Sequence, residues 1–138
     1  DIAYQIRSFD HLGDPFLEPL TVTKRPEMTS MGDVSMQLRR AAETSGDAWN
    51  ELSAIEQARL VQCLKDEPCN VGLVARHLRQ LRDIDFGDGI APTGRVIKIT
   101  GTRYNRGPDL PLSAIEADTR YGDFIISISP RLQELIAE

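Results

Sequence analysis

Arg76, Arg79 and Gln80 stand at helical spacing among Val71, Val74, Ala75, Leu78 and Leu81. Turned at about 100° per residue, the apolar set centres near Leu78 and the three polar residues fall opposite it, with Gly72 and Leu73. His77 and Arg82 flank the apolar stripe. Arginine and glutamine make paired hydrogen bonds to guanine and adenine edges, so such a face is suited to a duplex groove. It suits a protein groove about as well. Further along, Arg95, Lys98, Arg103 and Arg106, with Tyr104 between the last two, are candidates for phosphate contact.

Other chemistries find little support. Asp83, Asp85 and Asp88 precede Gly89 with alternating oxygen ligands, but the twelfth position of an EF-hand loop is Gly94 where a glutamate is required. These aspartates read as a capped turn, and they adjoin the basic helix where they would repel phosphate. His11 and His77 lie in different contexts, with no nucleophile placed beside either by spacing. Gly87 and Gly89 lack the third glycine and the preceding strand of a dinucleotide loop. The expectation is therefore a non-enzymatic protein without cofactor or metal. Cys63 and Cys69, six residues apart, are expected to be reduced thiols in a cytoplasmic protein, with a disulfide as the alternative in an oxidising compartment.

The chain has 138 residues, of which 41% are hydrophobic and 27% charged, as in ordinary globular domains. No apolar run is long enough to span a membrane. It starts at Asp1 without a signal-peptide pattern, as expected of a piece of a longer protein. Net charge is −5, yet residues 76–106 hold seven basic and three acidic side chains, a local balance of +4. A local basic segment in an acidic chain is the pattern of a confined electrostatic footprint.

Several elements must position these residues. Residues 1–28, punctuated by Pro15, Pro19 and Pro26, predict an extended arm with one short strand at Leu20–Thr23. Residues 29–138 predict a single domain. A first helix is expected from an Asp33 cap to Thr44, stopped by Gly46, with Trp49 as a core anchor. Ser53 and Glu56 form a capping box for a second helix ending before Pro68, and Asn70 is expected to cap the third. Arg95–Thr100 and Phe124–Ile128 read as strands, joined through a short helix at Ser113–Glu116. Ser129-Pro130 reads as the start of a closing helix. The expected core is Leu38, Trp49, Leu60, Val61, Leu64, Val74, Leu78, Leu81, Ile97, Ile99, Phe124, Ile126 and Ile128.

This order predicts an α+β fold, three N-terminal helices packed on a small antiparallel sheet in a winged-helix arrangement. Residues Asn70–Leu78 resemble the middle helix of Fis-type helix-turn-helix domains, in which an Asn-Val cap precedes Ala-Arg-x-Leu. That family continues into a reading helix, whereas this chain runs into Asp83 and Gly87, so the reading role does not transfer. Tyr121–Pro130 is similar to the strand and Ser-Pro ending of winged-helix domains in plasmid replication initiators. The functional expectation is a DNA-binding regulatory domain using Arg76, Arg79, Gln80 and Arg82 with Arg95, Lys98, Arg103 and Arg106. A protein-interaction module is the alternative.

Overall fold

The computed structural model describes residues 28–32 and 34–137, which divide into two compact units meeting at Val74 and Ala75. Residues 1–27 of the expected arm, its Leu20–Thr23 strand and the Asp33 cap lie outside the described residues.

The first unit opens with a two-stranded antiparallel ribbon, β1 (Ser30–Met31) and β2 (Met36–Gln37), with Ser30 opposite Gln37 and Met31 opposite Met36. Gly32 turns the chain between them at φ 78°, a conformation that costs a residue without Cβ little. A methyl there would also strike the Leu64 carbonyl and the Asn70 amide, so Gly32 is required twice over. Helix α1 (Leu38–Ser45) buries Leu38, Ala41, Ala42 and Thr44, then stops at Gly46. The Gly46 N–H reaches the Ala42 and Glu43 carbonyls from a left-handed backbone, as in a glycine-terminated helix. After one 3₁₀ turn at Trp49–Glu51, helix α2 (Ala54–Lys65) begins with the full capping box. Ser53 Oγ accepts from the Glu56 N–H, and the Glu56 carboxylate accepts from the Ser53 N–H at 2.8 Å. Helix α3 (Glu67–Phe86) follows at once, its second residue Pro68 sitting where a missing N–H costs nothing.

In the second unit, α3 runs on to Gly87, which again takes positive φ, and is followed by α4 (Gly94–Arg106), α5 (Leu112–Ala117) and α6 (Arg120–Ala137). Leu81, Val96, Ile99 and Ile115 are buried together with the imidazole of His77. Helices α4 and α6 approach closely at two glycines. A methyl on Gly122 would overlap the Lys98 carbonyl oxygen, and one on Gly101 would lie 2.5 Å from Ile125 Cδ1.

The expected α+β winged helix is therefore corrected. Among the described residues the protein is six α-helices and one tiny ribbon, and the ribbon precedes the helices. Arg95–Thr100 belongs to α4 and Phe124–Ile128 to α6, so no sheet follows α3 and no wing forms. Isoleucine, valine and threonine favour strands by local propensity, but only by fractions of a kcal/mol per residue. Val96, Ile99, Thr100 and Arg103 are buried at i, i+3, i+4 and i+7, a helical period visible only when a threonine and an arginine count as interior. Ser129-Pro130 lies inside α6 instead of opening a helix, and the Ser129 hydroxyl donates back to the Ile125 carbonyl. Asn70 is an interior, buried residue of α3.

Of the expected core, Leu38, Leu64, Val74, Leu81 and Ile99 are buried. Trp49, Leu60, Val61, Leu78, Ile97, Ile126 and Ile128 are half-buried, while Phe124 is exposed. Cys63 and Cys69 form a disulfide, correcting the expectation of free thiols. The corner at Asp66 between α2 and α3 brings their Cα atoms to 5.2 Å, within bridging distance.

Candidate functional site

The eight residues expected to meet DNA have unequal surroundings. Arg76 and Arg79 are exposed on α3 and make no ion pair among the described residues, and Gln80 is exposed beside them. Arg82 pairs with Asp83 and with Asp88, the latter at 3.2 Å. Arg95 pairs with Glu116 at 2.7 Å and lies over the Phe86 ring, and Lys98 pairs with Asp123 at 2.5 Å. The Arg103 side chain is 2% exposed and holds the 4%-exposed Asp85 carboxylate through Nε and Nη2. Its Nη1 donates to the Pro108 and Leu110 carbonyls, tying the link after α4 to the end of α3. Arg103 is thus a structural hub away from solvent. Arg106 is exposed, with Nη1 donating to the Ala114 carbonyl at 2.7 Å.

The expected capped turn is corrected: Asp83 and Asp85 lie in the last turns of α3, where they pair with Arg82 and Arg103. Asp88, just beyond it, also pairs with Arg82, and no group of metal-binding residues occurs among the described residues.

A different site takes shape around Arg106. Thr102, Asn105 and Arg106 share one face of α4 at i, i+3 and i+4. Tyr121 and Phe124, at i and i+3, present their rings from the first turns of α6, and Asp118 and Arg120 stand at its approach. Together these seven residues line an open groove of about 340 Å³. The close contact of Gly122 with α4 is what draws the two faces together.

Each side of the groove has its own chemistry. Tyr121 and Phe124 are 37% and 42% exposed, with ring centroids 6.4 Å apart and planes inclined by 50°, so they offer two neighbouring, mutually tilted ring surfaces to solvent. Opposite charge is fixed close by. Arg120 grips Asp118 fork to fork, Nε to Oδ1 at 2.8 Å and Nη2 to Oδ2 at 2.7 Å. These hydrogen bonds, with the nearby Arg106 charge as a smaller cause, hold the Asp118 carboxyl down to about 2. Behind the groove, burial pushes the Tyr104 phenol up to about 12, and its ring meets His77 edge-on at 5.9 Å.

Of the groove residues, only Arg106 was among the sequence candidates. Thr102, Asn105, Asp118, Arg120 and Tyr121 carry no binding signal in the sequence, and Phe124 reads as core, because residues 124–128 read as a strand. Two aromatics at i and i+3, one beside an arginine, were the available signal, and they mean a shared face only once the segment is known to be helical. A hollow in the first unit, lined by Ala42, Asp47, Glu56 and Leu60 among others, has no aromatic wall. No helix among the described residues is long and apolar enough to cross a membrane. No protein-family model, curated protein or solved structure matches the chain.

Proposed function

We propose that the second unit is a binding module for a polyhydroxylated ring, the chemistry of a sugar, held in the groove between α4 and α6. The observation that carries this reading is the exposed Tyr121–Phe124 platform set directly among Asn105, Arg106, Asp118 and Arg120. Such a groove asks three things of a ligand at once. It needs a flat apolar face for the rings, donors for the Asp118 carboxylate and the Asn105 oxygen, and acceptors for the guanidinium groups. A sugar ring meets all three, whereas a purely apolar ligand would strand the polar rim without partners. Recognition is favoured over catalysis because Asp118, held to about 2, is a poor proton donor and a weak base near neutral pH.

Titration calorimetry with a panel of neutral trisaccharides tests the reading. Tyr121→Ala and Phe124→Ala should each weaken binding on the order of ten-fold, the scale of one aromatic contact. No binding by any of the panel, or binding indifferent to both substitutions, would overturn it.

A second reading has its own observation. Arg76 and Arg79 remain exposed without ion pairs among the described residues, so the α3 face is open to an acidic partner. A protein surface is favoured over DNA, since the wing expected to grip phosphates is helical and Arg82, Arg95, Lys98 and Arg103 are engaged with carboxylates. Arg76→Glu should abolish capture of an acidic partner, and gel-shift binding of duplex DNA at low salt would reverse the preference. The Cys63–Cys69 bridge supports an oxidising compartment over the cytoplasm expected at first.

A further inference from the structure

We infer that the ring held in the groove carries a carboxylate, and that Arg106 is the residue that selects it; this rests on the sugar-binding reading above. The groove contains two guanidinium groups, and they are not equivalent. Arg120 is matched by Asp118 through both ends of its fork, so its charge is compensated within the protein. Arg106 forms no ion pair within 4 Å among the described residues. Its charge reaches Asp118 only as the last and weaker influence on that carboxyl.

Arg106 is nevertheless fixed in place. Its Nη1 donates to the Ala114 carbonyl at 2.7 Å, which anchors one end of the guanidinium and leaves other N–H groups unused. A tethered cation has already given up part of its side-chain freedom, so an incoming anion meets a smaller ordering cost. The planar fork matches a carboxylate better than any neutral acceptor. A dianionic phosphate would fit the charge of Arg106 but would also stand close to Asp118, which is ionised at neutral pH, and that repulsion favours a monoanion. The groove thus combines a ring platform, hydroxyl partners and one uncompensated cation, which is the recognition pattern for an acidic sugar such as a uronate.

Chemical-shift titration of the whole chain with glucuronate and, separately, glucose at matched ionic strength tests the inference. Glucuronate should bind more tightly by about three- to ten-fold, the range for one exposed charge-assisted contact, and added salt should shrink the ratio. Arg106→Gln should bring the ratio close to one, while Arg106→Lys, which keeps the charge, should retain part of it. Equal binding of the two sugars, or a preference that survives Arg106→Gln, would overturn the inference and leave the groove reading standing. Glucose-1-phosphate binding above glucuronate would assign Arg106 to phosphate and overturn it as well. If neither sugar moves the resonances of Asn105, Tyr121 or Phe124, the groove reading itself fails, and the inference with it.

Discussion

In the unit ending at Val74, the capping, helix-stop and disulfide contacts join residues close in the chain, while Gly32 against Leu64 and Asn70 is the long-range contact. Ser53 and Glu56 cap each other, Gly46 closes α1 on Ala42 and Glu43, and Cys63 bridges to Cys69. In the unit beginning at Ala75 the decisive contacts reach further. Arg103 holds Asp85 across 18 residues, and Gly122 packs against the carbonyl of Lys98. The groove is built where these longer contacts bring α4 and α6 together. Local devices close the helix ends of the first unit, and tertiary packing creates the candidate site in the second.

The contrast can be broken where it is strongest. Asp85→Ala leaves a guanidinium buried without its counter-charge, and should cost about 3–5 kcal/mol in denaturant unfolding. Replacing both partners, as Asp85→Ala with Arg103→Met, should recover much of that loss. A cost below about 1 kcal/mol for the single variant would show that water or a neighbouring group compensates the charge. Gly122→Ala forces a methyl into backbone, which cannot move aside as a side chain can, and should cost about 1–3 kcal/mol while opening the α4–α6 contact.

The first unit should respond less. Replacing both Cys63 and Cys69 by serine removes the constraint on a six-residue separation and should lower stability by roughly 2 kcal/mol, without altering the groove. Loss of sugar binding in that variant would mean that the units are not energetically separate.

The smallest effect concerns pH. The Asp118 carboxyl is lowered from 3.8 to about 2, so its fork with Arg120 is fully present above the ordinary carboxylate range and is lost only as pH falls through about 2. Carboxyl chemical shifts followed from neutral pH downward should show Asp118 titrating near 2, well below the ordinary 3.8. Titration near 3.8 would mean that the fork does not persist in water.

The same division governed what could be read in the sequence. The box at Ser53 and Glu56, the stop at Gly46, the turn at Gly87 and the short helix near Ser113 were legible because each is fixed by residues within a few positions. The segments around Val96 and Ile126 read as strands because their β-branched residues favour strands locally, while their helical state depends on packing with a distant partner. Arg103 illustrates the same limit. Nothing adjacent marks it as interior, since its carboxylate partner and its two carbonyl acceptors lie on other elements or in the following link. The groove was illegible for that reason too. Tyr121 and Phe124 share a face only in a helix, and Asn105 and Arg106 join them only through the crossing at Gly122.

On the reading proposed here, the second unit holds the site and its ligand is a hydroxylated ring. The most direct measurement is a residue-resolved amide and aromatic NMR titration of the whole chain with an acidic trisaccharide. Shifts should concentrate at Thr102, Asn105, Arg106, Asp118, Tyr121 and Phe124, with the resonances of α1 and α2 unmoved. Shifts centred on Arg76 and Arg79, or on the first unit, with the groove silent at saturating sugar, would contradict it.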